Sequence, residues 1–422
     1  MNGTNQFFTV NQWPDGRWSF IDSEGNPLYS LGVNCFNYHN SSPMEPVLRD
    51  KYGGRGWFER WAESKLAEVW EHGFNTLGAW HFPYYFSSGR PMTIEINCSR
   101  GAKMVNDGWG GYGFPDVFDP SFRMTTHAAM VDMFYNKGVN MAENPNVIGW
   151  FTDNELHWWG SGGRWGQNEQ ASDIDGTGLV DDYIALKPDR PGKKAWVEFL
   201  AGRYGKIERL NAAWNAEYGT FEELLWLREL RVDDTNYAAD KKAFLRLVAE
   251  TYFETTADAL RQYDANHLHL GCRFVGTSTP DIVLEVMGKY VDAWSLNFYC
   301  FDLPQQWMER ACRIAGKPCL ITEFSFCEGP GAGFDLITNG AQLAHVPNQK
   351  RRGECYREFV MQAARMPFVL GAHWFALYDF WHYEGLIGNY GLYDKEDRLW
   401  AEFAGSVKEA NAAALAIRMR AT

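Results

Sequence analysis

The sequence of 422 residues lacks several features that would place it in common classes of protein. No apolar run approaches the roughly 18 residues that a membrane-spanning helix needs, so no membrane partner is expected. Positive charge is scarce, since 40 Lys and Arg stand against 53 Asp and Glu, for a formal net charge of −13. Such an acidic chain repels phosphate backbones, and nucleic acid is therefore not expected as a partner.

The beginning of the sequence also lacks a targeting signal. The segment MNGTNQFFTV has no basic region followed by an apolar one, as a secretory signal peptide would have. This predicts a cytoplasmic protein, or a secreted or periplasmic one if a leader has been removed.

Motifs for metals and nucleotides are missing as well. None of the eight cysteines forms a CxxC pair, and several lie in apolar runs, where a reduced thiol is a small hydrophobic group: Cys272, Cys300 and Cys319. His267 and His269 have the spacing of one strand face, but a metal needs more ligands than these two. Three glycine-rich stretches lack the spacing of phosphate-binding loops: 108–114, 160–166 and 329–334. We therefore expect no metal and no cofactor.

What the sequence has in excess is aromatic residues. It contains 19 Trp, 20 Tyr and 28 Phe, which is 16% of the chain. A surplus of flat rings beyond the needs of a core favours a ligand with flat faces, such as a sugar or a nucleobase. Since the charge disfavours nucleic acid, we expect an oligosaccharide or polysaccharide substrate.

Short apolar runs alternate with amphipathic helical patterns along most of the chain. About eight such strand–helix units can be counted, and the apolar runs are continuous, as in parallel strands buried on both faces. The pattern predicts an α/β fold, a (β/α)₈ TIM barrel with elaborated βα loops, with an open doubly wound sheet as the alternative. The predicted organisation is a single catalytic domain over 1–422, with an N-terminal hairpin at 13–30 and a helical insertion at about 156–238 after the fourth strand.

In such a barrel the functional site lies at the carboxyl ends of the strands. The polar and aromatic residues at the predicted strand ends are Asn34, Asn37, Trp80, His81, Asn154, Glu155, Arg273, Asn297, Tyr299, Glu323, His373 and Trp374. Glu155 and Glu323 follow apolar sequence, where burial penalises a charge that has neither partner nor function. Two opposed carboxyl groups suit glycosidic bond cleavage, one as proton donor and the other as nucleophile or base. The competing interpretation is that each carboxylate caps the next helix.

Asn154-Glu155 after the fourth strand and Glu323 after the seventh resemble the retaining glycoside hydrolases of clan A. Within that clan, three segments are similar to family 50 β-agarases and family 42 β-galactosidases: DGRWSFIDSEGNPLYSLGVN, NPNVIGWFTDNELHW and LNAAWNAEYG. FPDVFDPSF at 114–122 adds to the likeness with the agarases. The resemblance implies that Glu155 is the acid/base and that Glu323 is the nucleophile of a double displacement.

The resemblance also implies roles for neighbouring side chains. Asn154 would bind the sugar 2-hydroxyl, and Tyr299 would orient Glu323. His373 and Trp374 would bind and stack on the first sugar, although a Trp in the barrel core is the competing interpretation. Many clan members have an Arg after strand two, where this sequence has Trp80-His81, so support of the nucleophile is expected from Arg273 or His81.

A leaving-group subsite is expected after the acid/base residue. His157, Trp158 and Trp159 come shortly after Glu155 and are candidates to line this subsite, with loop packing as the alternative.

The sequence as a whole therefore predicts a retaining β-galactosidase-type hydrolase that acts on agar-type or other β-galacto-oligosaccharides, with exo action. The same catalytic pair also suits a β-glucanase or β-mannanase of the clan, while a non-catalytic carbohydrate-binding barrel and a metal-dependent hydrolase are more distant alternatives. The β-galactosidases that it resembles are often trimers, which suggests a homo-oligomer.

Overall fold

The computed structural model describes residues 6–41, 44–107, 113–161, 176–230, 232, 234–333, 344–381 and 387–419. The glycine-rich segments predicted above lie partly outside these residues, at 108–112, 162–166 and 334.

The described residues form three β-sheets. The strands in chain order are β1 (Thr9–Gln12), β2 (Trp18–Ile21), β3 (Pro27–Leu28), β4 (Ser30–Val33), β5 (Thr76–Leu77), β6 (Met92–Glu95), β7 (Val147–Phe151), β8 (Leu268–His269), β9 (Phe274–Val275), β10 (Trp294–Asn297), β11 (Cys319–Phe324), β12 (Phe326–Glu328), β13 (Ala344–Val346) and β14 (Val369–Trp374). The central sheet has nine parallel strands in the order β8-β7-β6-β5-β4-β14-β11-β10-β9. The order shows that most neighbouring strands are also neighbours along the chain, which requires a helix or loop crossover after each one.

The described part of the chain contains twelve α-helices, eleven of them in the crossovers and α12 after the last strand. They are α1 (Met44–Tyr52), α2 (Trp57–Glu71), α3 (Pro120–Tyr135), α4 (Gly178–Ala185), α5 (Pro191–Tyr204), α6 (Ile207–Trp214), α7 (Glu223–Trp226), α8 (Thr235–Tyr263), α9 (Asp281–Met287), α10 (Gln305–Ala315), α11 (Gln349–Arg365) and α12 (Ala401–Met419). Side-chain caps fix the start of several: Asp119 accepts from the Ser121 amide at 2.9 Å, and Asn348 accepts from the Arg351 amide at 2.9 Å. No helix in the described ranges is both long and apolar enough to cross a bilayer.

The prediction of a closed eight-stranded barrel was wrong. The sheet has nine strands, and within the described residues its two edge strands, β8 and β9, do not pair with each other. Both edges come from the segment HLHLGCRF at 267–274, whose sequence predicts a single strand but which breaks between His269 and Phe274. The break contains two residues with positive φ, Gly271 at 79° and Arg273 at 49°, and a strand cannot continue through that conformation. β8 therefore pairs with β7, whereas β9 pairs with β10.

The central sheet is buried on both of its faces, as its continuous apolar strands predicted. Every residue of β4, β7, β10, β11 and β14 is buried. The amino-terminal end of the sheet is covered by the antiparallel sheet β1-β2-β3, whose Phe20 packs with Ile148, Leu320 and Leu370. The carboxyl ends of the strands point away from this cover, and the side chains of interest lie there.

Candidate active site

The backbone turns sharply where the central strands end. Five non-glycine residues there have positive φ: Cys35 after β4, Trp80 after β5, Asn97 after β6, Glu155 after β7 and Arg273 before β9, at 51°, 63°, 64°, 50° and 49°. This conformation is costly for residues with a Cβ and is concentrated at functional sites in proteins. Three of these residues, Trp80, Glu155 and Arg273, were identified from the sequence as strand-end candidates.

One amide side chain joins the two predicted catalytic carboxyl groups. Asn297, at the end of β10, donates from Nδ2 to Glu155 Oε1 at 2.9 Å and to Glu323 Oε1 at 2.9 Å. The two oxygens are therefore no further apart than twice that distance. Retaining glycosidases hold their carboxyl groups about 5–5.5 Å apart, whereas inverting ones need about 6.5–9.5 Å. The geometry falls on the retaining side.

Glu323 is surrounded by donors. Its Oε1 also accepts from Arg273 Nη2, and its Oε2 accepts from the hydroxyl of Tyr299. Only 4% of Glu323 is exposed, so these bonds form in a low-dielectric environment where they are strengthened. Donors of this number hold a carboxylate in its ionised form and in a fixed orientation.

Arg273 is itself held in place by aromatic rings and an amide. Its guanidinium carbon lies 4.6 Å from the ring centre of Trp80 and 5.0 Å from that of Phe151. Its Nε donates to Asn154 Oδ1 at 2.7 Å, the oxygen to which Asn297 also donates at 3.1 Å. Asn154 and Asn297 thus orient both charged partners of the Arg273–Glu323 ion pair.

The two carboxyl groups differ in their surroundings and so in their acidity. Burial and the nearby charge of Glu323 raise the pKa of Glu155 to about 8. Asn297 is its one hydrogen-bond donor and opposes this rise. Burial also raises the pKa of Glu323, but Arg273, Tyr299 and Asn297 oppose this rise. Glu323 therefore ionises first, and Glu155 keeps its proton at neutral pH, which is the division of roles that an acid and a nucleophile require.

Asn34 lies at the strand ends, but its side chain is hydrogen-bonded to the backbone of neighbouring strands. It donates from Nδ2 to the Thr322 carbonyl at 2.7 Å and accepts at Oδ1 from the Ala79 amide at 2.9 Å. It is fully buried and ties together the ends of β4, β5 and β11. Contact with a substrate would require these bonds to break.

The two histidine candidates are buried and neutral. His81 Nδ1 lies 2.7 Å from the Gly78 carbonyl, and burial lowers the pKa of His81 to about 4. His373 Nε2 lies 2.8 Å from the Ser30 hydroxyl, and burial together with Arg273 lowers the pKa of His373 to about 3. Neither is hydrogen-bonded to Glu155 or Glu323 in the structure, and of Arg273 and His81 it is Arg273 that binds Glu323.

The structure does not bring Trp374 or Trp158 to the carboxyl groups. Trp374 is fully buried, and its ring packs against Phe324, Tyr356 of α11 and Phe403 of α12. Trp158 is 1% exposed and stacks on Phe253 of α8 with an interplanar angle of 2°.

The other two residues of the expected leaving-group subsite have a different environment. His157 and Trp159 are half-buried, and their ring centres lie 4.6 Å apart. Of the three candidates for this subsite, only these two are therefore partly exposed.

Sequence reasoning gave no role to two residues of the site. Asn297 was recognised as a strand end, but its bonds to both carboxyl groups could not be seen before the strand order was known. Glu95 was missed entirely, although it ends β6 in the apolar segment MTIEINC and is 7% exposed. An acidic residue closing a buried strand was the available signal.

In the described part of the chain, no three His, Cys, Asp or Glu side chains cluster as a metal site would require.

No protein-family model matches the sequence. Two curated relatives are β-agarases of Vibrio sp. (strain JT0107). β-Agarase B is 26% identical over 342 residues, covering 79% of this chain and 34% of the relative. β-Agarase A is 28% identical over 430 residues, covering 86% of this chain and 41% of the relative.

Solved structures share the fold. An exo-β-agarase superimposes with a TM-score of 0.87 at 23% identity, covering 99% of this chain and 66% of that one. A β-galactosidase from the Antarctic haloarchaeon Halorubrum lacusprofundi gives 0.58 at 14% identity, covering 92% and 58% of the two chains.

These comparisons decide part of what the sequence predicted. The chain spans about a third to two fifths of the length of the curated β-agarases. Membership of clan A and the likeness to family 42 stay predictions. The predicted likeness to β-agarases is confirmed, and the chain is homologous to this group of glycoside hydrolases.

Proposed function

We propose that this chain is a glycoside hydrolase of the β-agarase type, which cleaves β-galactosidic linkages in agar-type oligosaccharides with retention of configuration and exo action. Homology to β-agarases supports the reaction class and the substrate class. The observation that carries the mechanism is the Asn297 amide, which lies 2.9 Å from a carboxyl oxygen of each glutamate. This spacing leaves room for attack by Glu323 but not for an intervening water.

In the first step Glu323 attacks the anomeric carbon. A carboxylate oxygen forms the new C–O bond while the bond from the anomeric carbon to the leaving oxygen breaks. Glu155 transfers its proton to that oxygen, so the leaving sugar departs as a neutral alcohol. The proton is present because burial and the charge of Glu323 raise the pKa of Glu155 to about 8.

In the second step the roles of Glu155 reverse. Now ionised, Glu155 takes a proton from water as the water attacks the anomeric carbon and displaces Glu323. Loss of the negative charge of Glu323 in the glycosyl-enzyme lowers the pKa of Glu155, which favours the base form at this stage.

The residues around the pair position it. Arg273 and Tyr299 hold Glu323 ionised and fix which oxygen faces the sugar. Asn154 uses Oδ1 to bind Arg273 and Asn297, so its Nδ2 is the group we assign to the 2-hydroxyl of the sugar, where contact strengthens in the transition state.

Substitution of each glutamate tests the assignment. Glu323→Ala should lower kcat about a thousandfold or more, because the covalent step is lost. Glu155→Ala should lose activity on natural linkages, but azide should restore turnover of an activated aryl β-galactoside and yield a β-galactosyl azide. Glu309→Ala, in an exposed ion pair on α10, is the matched control and should stay at the wild-type rate. Near-normal activity of Glu323→Ala would refute the proposal.

A panel of aryl β-glycosides tests the sugar. Hydrolysis of the galactoside in preference to the glucoside and the mannoside is expected. Activity on either of the latter without activity on the galactoside would replace the proposed substrate by a glucan or a mannan.

A further inference from the structure

Glu95 is a third buried carboxyl group beside the proposed catalytic pair. It ends β6, whose neighbour β7 leads to Glu155, and it pairs in the sheet with Phe151. Neither of its carboxyl oxygens makes a hydrogen bond of normal geometry to a described residue. The indole of Trp80 is the one donor that lowers the pKa of Glu95 through a hydrogen bond, and a buried acid with so little support is costly as an anion.

One positive charge acts on all three carboxyl groups. Arg273 lowers the pKa of Glu95, Glu155 and Glu323 alike, but its hydrogen bonds go to Glu323 and Asn154. Its remaining nitrogen, Nη1, has no hydrogen-bond partner among the described residues. The cation is thus shared unequally, and Glu323 receives the direct contact.

The other groups around Glu95 supply no further positive charge. It is faced by Asp153 after β7, Glu323 on β11, Glu155, and the thiols of Cys35 and Cys98. Burial raises the pKa of both thiols well above the usual range, so they are neutral. The indole of Trp80 after β5 donates to Glu95 but carries no charge. Asp153 is satisfied by Ser99 and Tyr252 and adds negative charge instead.

We propose that Glu95 is a positioning residue for the proton of Glu155: the two buried acids compete for protons beside a single guanidinium, and the charge that Glu95 takes up as the pH rises keeps Glu155 protonated. Like charges in one buried site cannot both form freely, and the first to ionise delays the second. The inference rests on the proposed function, in which protonated Glu155 is the general acid. Glu95 does not touch the reacting atoms and acts through Glu155.

Burial raises the pKa of Glu95 to about 8, as it does that of Glu155, so the two titrate in the same range. A glutamine at position 95 resembles the protonated acid and never acquires charge. In Glu95→Gln, only burial and the charge of Glu323 still oppose the ionisation of Glu155, and the pKa of Glu155 falls. The acid limb of the pH–rate profile reflects the ionisation of Glu323. At that pH Glu95 is protonated in the wild type too, so the acid limb should not move in Glu95→Gln.

The experiment is the pH dependence of kcat/KM for the wild type, Glu95→Gln and Glu95→Asp. The alkaline limb of Glu95→Gln should shift about one pH unit toward lower pH, with the acid limb unchanged, while Glu95→Asp keeps an ionisable group and should stay near the wild type. Asp116→Asn is the matched control: it removes a buried carboxyl whose pKa burial also raises but which faces Arg190, and it should not move either limb. An unshifted alkaline limb in Glu95→Gln overturns the proposal.

If Glu95→Gln does not fold, Glu155→Gln answers the same question. With glutamate labelled at the side-chain carboxyl carbon, NMR of the wild type should show two carboxyl groups that titrate near pH 8, and in Glu155→Gln the one that remains should titrate at lower pH, since the coupling acts equally on both acids. A titration of Glu95 that Glu155→Gln leaves unmoved overturns the proposal. Failure of the catalytic assignment is recognised separately, since it would appear as residual activity of Glu323→Ala or Glu155→Ala whatever the behaviour of Glu95.

Discussion

At the scale of single residues, the hydroxyl of Tyr299 offers a test of how Glu323 is kept ionised. Tyr299→Phe removes the donor to Glu323 Oε2 and leaves the ring in place. A hydrogen bond to a charged group contributes about 1.5–3 kcal/mol, so kcat should fall roughly ten- to a hundredfold with a small effect on KM. The pKa of Glu323 should rise without this donor, and the acid limb of the pH–rate profile should move to higher pH.

Tyr356→Phe is the matched control for this change. Tyr356 is also buried and donates to Asn411 at 2.7 Å, but that bond joins α11 to α12. Tyr356→Phe should therefore lower the free energy of unfolding and leave the pH–rate profile unchanged. A Tyr299→Phe variant with the wild-type acid limb would contradict the assigned contact.

At the scale of elements, Trp158 separates packing from binding. The ring stacks on Phe253 of α8 and is 1% exposed, so Trp158→Ala opens a cavity between the loop and the helix. The free energy of unfolding should fall by about 3–5 kcal/mol, measured by chemical denaturation, while KM for an oligosaccharide stays near the wild type. Trp226→Ala on α7, where the side chain is 75% exposed, should change stability by about 0.5 kcal/mol or less. A stable Trp158→Ala variant with a raised KM would instead support the subsite role.

The same scale shows what the sequence could and could not predict. Continuous apolar runs located most of the central strands, and reading the polar residues at their ends placed Glu155, Glu323, Arg273, Asn154 and Tyr299 together. The break within 267–274 was not predicted, because HLHLGCRF has the pattern of one continuous strand and only the backbone shows that it turns at Gly271 and Arg273.

Residues 373 and 374 show a second feature that the sequence alone could not predict. Successive side chains of a strand point to opposite faces, so His373 and Trp374 could not both face the site. The ring of His373 lies against Gly32 of β4, whereas Trp374 is on the opposite face of the strand and packs against α11 and α12. Nothing in the sequence HW distinguishes one face from the other, since both sides of this strand are buried.

At the scale of the whole molecule, buried titratable groups set the pH dependence of stability. Burial raises the pKa of Glu95 and Glu155 to about 8 and that of Asp379 to about 7. The folded protein therefore keeps protons that the unfolded chain releases, and this contribution to stability is lost as the pH rises toward these values. Burial lowers the pKa of His81 and His269 to about 4 and of His373 to about 3, which costs stability only below about pH 6.5.

Above pH 6.5, of these carboxyl groups and histidines, only the carboxyl groups change the free energy of unfolding with pH. The Tm should therefore decline between about pH 6.5 and 8.5, and the decline should be shallower in Asp379→Asn, measured by calorimetry at constant ionic strength. A Tm that rises over this interval would contradict the burial of these acids.

The central claim is that two glutamates held by one amide cleave a β-linkage with retention. Proton NMR of the first products of an agar-type oligosaccharide, recorded before mutarotation, tests it most directly. The account predicts that the new reducing end appears first as the β-anomer and only later equilibrates to the α-anomer. An α-anomer as the first product would show inversion and would contradict the assignment of Glu323 as nucleophile.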